Sequence, residues 1–160
     1  MTPQAAIEAA IANCQMVVDL YLSDLTEEET MHRPGEGLNH IRWQLGHLIV
    51  SEHKFMDHVA PGSVPTLPDG FADRYRKETA TIDDASQFDS LAELKRLYSN
   101  IREATLTALA NCSAERLDEP SGIEYAPRVA DVFILQGTHW LMHAGQWAVI
   151  RRQLGREPMF

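Results

Sequence analysis

Cysteine is scarce in this chain, and its two cysteines are far apart. Cys14 and Cys112 have neither the spacing of a metal-binding pair nor that of a redox pair, and two residues make no disulfide framework. We therefore expect both to be reduced, buried thiols, with Cys14 on the apolar stripe of the first helix. Reduced thiols favour a cytoplasmic location.

The chain also has few positive charges. It contains 14 lysine and arginine residues and 23 acidic residues, which gives a net charge of −9. A surface this negative repels phosphate backbones and anionic lipid, so we expect no binding to nucleic acid or membranes. No apolar run approaches the roughly 18 uninterrupted residues of a membrane span. No basic segment precedes an apolar run, so we do not expect export.

Strand-like alternation is absent as well, whereas four segments repeat apolar residues at helical spacing. Thr2 and Pro3 predict the start of the first helix, which fades near Asp24. Asn39 predicts the cap of a second helix that extends to about Val59.

Two further helices follow in the second half of the chain. Ser90 and Glu93 form a capping-box pattern for a helix that continues to about Ala110. The fourth helix is predicted over about Arg128–Leu154, with Gly155 as its C-terminal cap. We therefore predict an all-α fold, a single domain over residues 1–160 that forms a four-helix bundle with long crossover connections.

The segment 61–85 contains three prolines and two glycines and shows no sustained periodicity. A connection of this length in a compact domain is usually functional or crosses the length of a bundle. We expect it to be irregular, more mobile than the helices, and adjacent to the functional site.

The 160 residues include seven histidines, and three of these fall where helices would face one another. His139 and His143 are about 40° apart on one helical face that also carries apolar residues. Two imidazoles one turn apart can share a divalent ion, although half-buried core histidines have the same spacing. His47 supplies a third imidazole from a second helix, as bundle metal sites require. Three histidines leave a coordination position open, which is typical of a catalytic ion.

Other candidate ligands are less well placed. Three histidines lie in a loop or near helix ends: His32, His40 and His58. The helical angle of His53 predicts that it faces solvent. Glu52 is a fourth ligand or a base by residue type, but it lies about 140° from His47. That angle predicts a place on the surface or in a salt bridge.

Two segments resemble the DinB-like metal-binding superfamily. Residues 41–48 read IRWQLGHL and resemble the second-helix motif, and residues 139–146 read HWLMHAGQ and resemble the closing helix. The resemblance implies a four-helix bundle that binds a divalent ion through His47, His139 and His143, the histidines that the helical faces also select. It implies zinc or nickel, with iron or manganese as further candidates.

Relatives in that superfamily include bacillithiol and mycothiol S-transferases. The resemblance therefore implies a metalloenzyme of the thiol-dependent S-transferase type, with a low-molecular-weight thiol as substrate. A metal-dependent hydrolase and a non-catalytic metal-binding stress-response module remain alternatives. We expect the large apolar residues of the fourth helix, Trp140, Met142 and Trp147, in the core or at the surface of a homodimer.

Overall fold

Four long helices dominate the structure, which is a computed structural model and describes residues 1–159. They are α1 (Pro3–Leu22), α2 (Ile41–Val59), α4 (Leu91–Asn111) and α6 (Val129–Gln153). The smaller elements are α3 (Phe71–Arg74), α5 (Ala114–Asp118) and an antiparallel hairpin of β1 (Pro120–Ile123) and β2 (Ala126–Arg128). The predicted all-α bundle is confirmed, and the hairpin is an element that the sequence patterns did not predict.

At the start of a helix the first backbone N–H groups have no acceptor within the helix, and nearby side chains can accept their hydrogen bonds. The side chain of Thr2 accepts a hydrogen bond from the N–H of Ala5, and that of Ser90 accepts one from Glu93. At α2 the prediction of Asn39 as the cap was wrong. His40 caps the helix instead, because its Nδ1 accepts the N–H of Trp43 at 3.1 Å.

Contacts between the helices fix their directions. Later residues of α6 meet later residues of α1, since Gly137 lies beside Cys14 and Arg151 donates to the carbonyl of Tyr21, so these helices are parallel. In contrast, α2 is antiparallel to α6, because Gln44 bonds to His143 whereas the more distal Ser51 lies near His139.

Helices α2 and α4 are parallel, and the chain between them (residues 60–90, the crossover) must therefore run the length of the bundle. Thr105 of α4 donates to Glu52 in the middle of α2. Arg116 of α5, which follows the end of α4, donates to the carbonyl of Val59 at the end of α2. The predicted long crossover is confirmed. It is tied down by buried side chains, among them Phe71, Tyr75 and Phe88.

A buried polar layer separates two hydrophobic clusters of the core. One cluster includes Val50 and Trp140, and the other includes Met56 and Phe133. Between them lies Glu52, which is 1% exposed. Glu52 accepts hydrogen bonds from three buried donors: Arg102 at 3.0 Å, Thr105 at 2.8 Å and Trp140 at 2.7 Å. These contacts link α2, α4 and α6 at one level of the bundle. They therefore set the relative positions of the two helices, α2 and α6, that carry the clustered histidines.

Helix α1 is apolar enough to cross a membrane by length and composition alone, with a mean hydropathy of 1.3 over its most apolar window. Core helices pass the same test. The buried residues of α1, among them Ile11 and Val18, belong to the two core clusters.

The large apolar residues of α6 were expected in the core or at a homodimer surface, and the structure divides them. Trp140 and Trp147 are buried, but Met142 is 58% exposed, and Leu141 and Val149 are also exposed. Met142 therefore lies outside the core. The homodimer and the cytoplasmic location stay predictions. Cys14 and Cys112 are free thiols, as predicted, but both are half-buried rather than buried.

Candidate metal centre

Three imidazoles from two helices converge beside the crossover. His47 of α2 and His139 and His143 of α6 each offer a ring nitrogen, and these three nitrogens lie within 4.8 Å of one another. The ring centroids of His139 and His143 are 5.1 Å apart, and each is 5.7 Å from that of His47. Within residues 1–159, no other group of three histidine, cysteine or acidic side chains meets this proximity criterion.

The spacing of these nitrogens fits a divalent ion. Nitrogens that share one tetrahedral zinc ion at about 2.05 Å lie about 3.4 Å apart. Small rotations of the rings, of which those of His47 and His139 are half-buried, cover the difference from 4.8 Å. The set supplies three neutral nitrogen donors, which suits zinc or nickel better than magnesium or calcium.

Burial keeps these imidazoles unprotonated and therefore able to donate a lone pair. It lowers the pKa of His139 to about 4, and the neighbouring His47 adds to this effect. It also lowers the pKa of His143 to about 4, with smaller contributions from the other two histidines. The pKa of His47 is lowered by burial and, secondarily, by the charge of Lys54. All three shifts favour the neutral imidazole, which is the form that binds a metal, at neutral pH.

Gln44 fixes the tautomer of His143. Its Oε1 accepts two hydrogen bonds, from Nδ1 of His143 at 2.9 Å and from Nε1 of Trp147 at 2.8 Å. Its amide nitrogen donates to the carbonyl of Asn39 at 2.7 Å, so the side chain cannot flip without losing the bonds to both Trp147 and Asn39. The proton of His143 therefore stays on Nδ1, which leaves Nε2 free to bind a metal.

The other two rings are held by weaker contacts. His47 stacks on Trp43 with a centroid distance of 5.0 Å and an interplanar angle of 8°. The Nδ1 of His139 lies 3.4 Å from Oγ of Ser51, at the outer limit of a hydrogen bond. Ser51 follows His47 by one helical turn. Helix α2 therefore supplies both the imidazole of His47 and the hydroxyl group beside His139.

Residues 10–147 match the family described as the DinB superfamily. The chain belongs to the DinB superfamily. The matched range begins in α1, ends in α6 and includes all three clustered histidines. None of the curated proteins matches this chain. Superfamily membership and the histidine cluster together are compatible with metal binding, and the role of the three histidines as ligands stays a prediction.

The remaining histidines of this DinB-superfamily protein have other partners or positions. His40 is fully buried as the cap of α2, and its Nε2 lies 3.2 Å from the carbonyl oxygen of Ile82. His58 lies 2.8 Å from the carbonyl oxygen of Ser121, and His32 lies beside Gln153. His53 is half-buried, not fully solvent-facing as predicted, and it does not join the cluster.

Glu52 resolves the two alternatives that its helical angle left open. It is not at the surface, and it forms the buried salt bridge with Arg102 described above. Burial raises the pKa of its carboxyl group, whereas Arg102 and the hydrogen bonds from Thr105 and Trp140 oppose that rise. With its oxygens directed at these donors, Glu52 supports the helices around the cluster and is not a fourth ligand in this arrangement.

A cleft of about 820 Å³ opens beside the cluster and is lined by His47 and Ser51 on one side. The crossover forms the other side, from Ala72 to Thr81. The prediction that residues 61–85 border the site is therefore confirmed, whereas their mobility stays a prediction. Sequence patterns did not reveal the contribution of Tyr75, because a single aromatic residue in an aperiodic segment carries no positional signal.

Proposed function

We propose that this protein is a divalent-metal enzyme of the thiol-dependent S-transferase type. The observation that supports the proposal is the convergence of three imidazoles, one of which, that of His47, also lines an 820 Å³ cleft. A site with three protein ligands has room for a further ligand, and the cleft provides space for a small molecule there.

His47, His139 and His143 would hold the ion. A bound zinc or nickel ion would supply the charge that keeps a thiol sulfur deprotonated at neutral pH. Gln44 orients His143 through Nδ1, and Trp43 holds the ring of His47 by stacking.

The reaction conserves its atoms without an oxidant. The S–H bond of the thiol breaks, a bond forms between sulfur and the electrophilic carbon, and the leaving group departs with its electron pair. The thiol proton is released to solvent. The aromatic rings of Trp43 and Tyr75 line the cleft and lower the local exposure to water.

Metal analysis of untagged protein, followed by assays with a panel of thiols and electrophiles, tests this proposal. Wild type should carry about one divalent ion per chain. His139→Ala and His143→Ala should each weaken zinc binding more than about 100-fold, because loss of a ligand lowers metal affinity more than loss of a contact that supports a ligand. His53→Ala removes a histidine of the same helix as His47 and should retain the ion. Stoichiometric metal in the His139→Ala and His143→Ala variants would refute the assignment.

The alternatives separate in the same assays. Turnover of ester or amide substrates without a thiol would identify a hydrolase, since a metal-bound water is the nucleophile in that case. Bound metal without any turnover would indicate the non-catalytic binding module. Thiol transfer that persists after metal loss would exclude the proposed mechanism.

A further inference from the structure

The cleft beside the histidine cluster has a charge opposite to that of the whole protein. The chain carries 23 acidic and 14 basic residues. Yet the cleft is lined by three cations, Lys54, Arg76 and Lys77, and by one carboxylate, that of Glu78. We call these three cations the cationic rim. In a protein with a net charge of −9, a cleft of reversed sign attracts anions against the general field.

The cations of the rim are available to a ligand. Within the described residues, neither lysine has a carboxylate oxygen within ion-pair distance. Arg76 has one, that of Glu78, at 3.7 Å, and both side chains are more than half exposed. Such exposed pairs contribute little and are readily exchanged for a ligand anion.

The distances along α2 set the size of the molecule that fits. Lys54 follows His47 by seven residues, which places it two turns along the same helical face, about 10 Å away. Ser51 lies between them on that face, and Tyr75 lies opposite on the crossover. Lys77 approaches the cleft from the crossover as well. Along α2 the wall of the cleft therefore passes from the imidazole of His47, through Ser51, to the ammonium group of Lys54.

We propose that the cationic rim binds a carboxylate of the substrate pair and so selects anionic small molecules for this site. The proposal rests on the proposed thiol-transfer function and adds the charge class of the substrate. The carboxylate belongs either to the thiol or to its electrophile. Both sources share the same recognition chemistry, and separate arms of the experiment distinguish them.

Calorimetric titration of the zinc-loaded protein tests the rim with matched probes. The thiol arm compares 3-mercaptopropionate with neutral 3-mercaptopropionamide, and the sulfur-free arm compares succinate with succinamide. We expect the anionic member to bind about tenfold more tightly in at least one arm, a free-energy difference of about 1.4 kcal/mol. A preference in the thiol arm alone assigns the carboxylate to the thiol, and one in the sulfur-free arm alone assigns it to the electrophile.

Variants locate the preference at the rim. Lys54→Gln/Lys77→Gln should reduce it to less than about twofold, and so should high salt, which screens exposed charges. Arg152→Gln is the control, because it removes an exposed cation outside the cleft and should leave the preference unchanged. Equal affinities for both members of each pair, or a preference that survives in the double variant, would overturn the proposal.

Failure of the rim and failure of the proposed function give different results. If the two members of each pair bind equally well and the thiols bind only to the zinc-loaded protein, the rim is refuted and the thiol site stands. If zinc-free protein prefers succinate to succinamide through the two lysines while zinc adds nothing to thiol affinity, the rim stands and the thiol function fails.

Discussion

Gln44 has no contact with solvent, yet it determines which nitrogen of His143 can bind a metal. Replacement of Gln44 by Met keeps the size of the side chain but leaves two buried N–H groups, on His143 and Trp147, without an acceptor. We expect Gln44→Met to weaken zinc binding about 10- to 100-fold, the usual effect of losing a supporting contact. Competition with a chromophoric chelator measures this affinity.

Gln136→Met is the matched control for this prediction. Gln136 is equally buried, but its side-chain nitrogen donates only to the carbonyl of Val132 in its own helix. Its replacement should change zinc affinity less than about threefold, well under the range expected for a supporting contact. Equal losses in the two variants would show that the effect comes from general destabilisation and not from the tautomer of His143.

The lowered pKa values of His139 and His143 predict how acid affects the metal-free protein. The unfolded chain protonates these imidazoles near pH 6.5, whereas the folded chain does so only near pH 4. Between these values the unfolded state binds more protons, so the free energy of unfolding falls as the pH is lowered. Melting temperatures from pH 7.5 to 4.5 should show this loss, at roughly 2–4 °C per kcal/mol.

The variant His139→Gln/His143→Gln should have a shallower pH dependence than wild type, because both shifted groups are gone. His53→Gln should retain the wild-type slope, since that residue is not part of the cluster. A steeper slope in the double variant would contradict the assignment of neutral imidazoles to the folded protein.

At the scale of elements, the crossover depends on one glycine of α2. A Cβ atom at Gly46 would lie 2.1 Å from the ring of Tyr75, so only glycine allows this ring to pack on the helix next to His47. The hydroxyl of Tyr75 in turn donates to the carboxylate of Asp89 and accepts its N–H. Glycine at this position thus brings the crossover against α2 and narrows the cleft.

Gly46→Ala should lower the free energy of unfolding by about 1–3 kcal/mol, because it forces the ring of Tyr75 away from α2. Gly145→Ala is the opposite case, since Gly145 lies in α6 with no atom within 4 Å of its added methyl group. That change should raise the free energy of unfolding by up to about 1 kcal/mol, the helix-propensity difference. Urea denaturation measures both, and a neutral Gly46→Ala would refute the close packing.

The long elements could be predicted from the sequence because each repeats apolar residues over five turns or more. The hairpin β1–β2 could not, since its strands are four and three residues long and each contains a proline. The salt bridge of Glu52 was one of its two predicted alternatives, but its burial could not be predicted, for a different reason. A helical wheel assumes one buried face, but α2 is packed by α4, α6 and the crossover, so a residue about 140° from His47 is also buried.

The candidate site also has a part that could be predicted from the sequence and a part that could not. Spacing identified His139 and His143 because both lie on one helix, and His47 because it lies on an inward face. The partners Gln44, Tyr75 and Lys54 depend on which helices are neighbours and how they are aligned, and that information is not local. Contacts between residues about 100 positions apart, such as the hydrogen bond from His143 to Gln44, follow only from the assembled bundle.

For the whole molecule, we expect the fold to persist without the ion. Two hydrophobic clusters and the polar layer of Glu52 hold the bundle together, and none of them includes the three clustered histidines. Chelation should leave the far-ultraviolet circular dichroism spectrum helical. Zinc at about 100 times its dissociation constant should add about 2.7 kcal/mol, or roughly 5–10 °C in melting temperature. Loss of helicity on chelation would instead identify a structural ion.

The parallel pairing of α1 with α6 has a consequence for biosynthesis. Two of the three imidazoles lie on α6, Val129–Gln153, so a ribosome must release α6 before the site exists. A nascent chain that ends before α6 offers only His47 and leaves α1 without its main neighbour. Such long-range contacts form late in folding. Metal capture would thus require a chain whose synthesis has passed α6, and products that terminate before α6 would not sequester metal through this site.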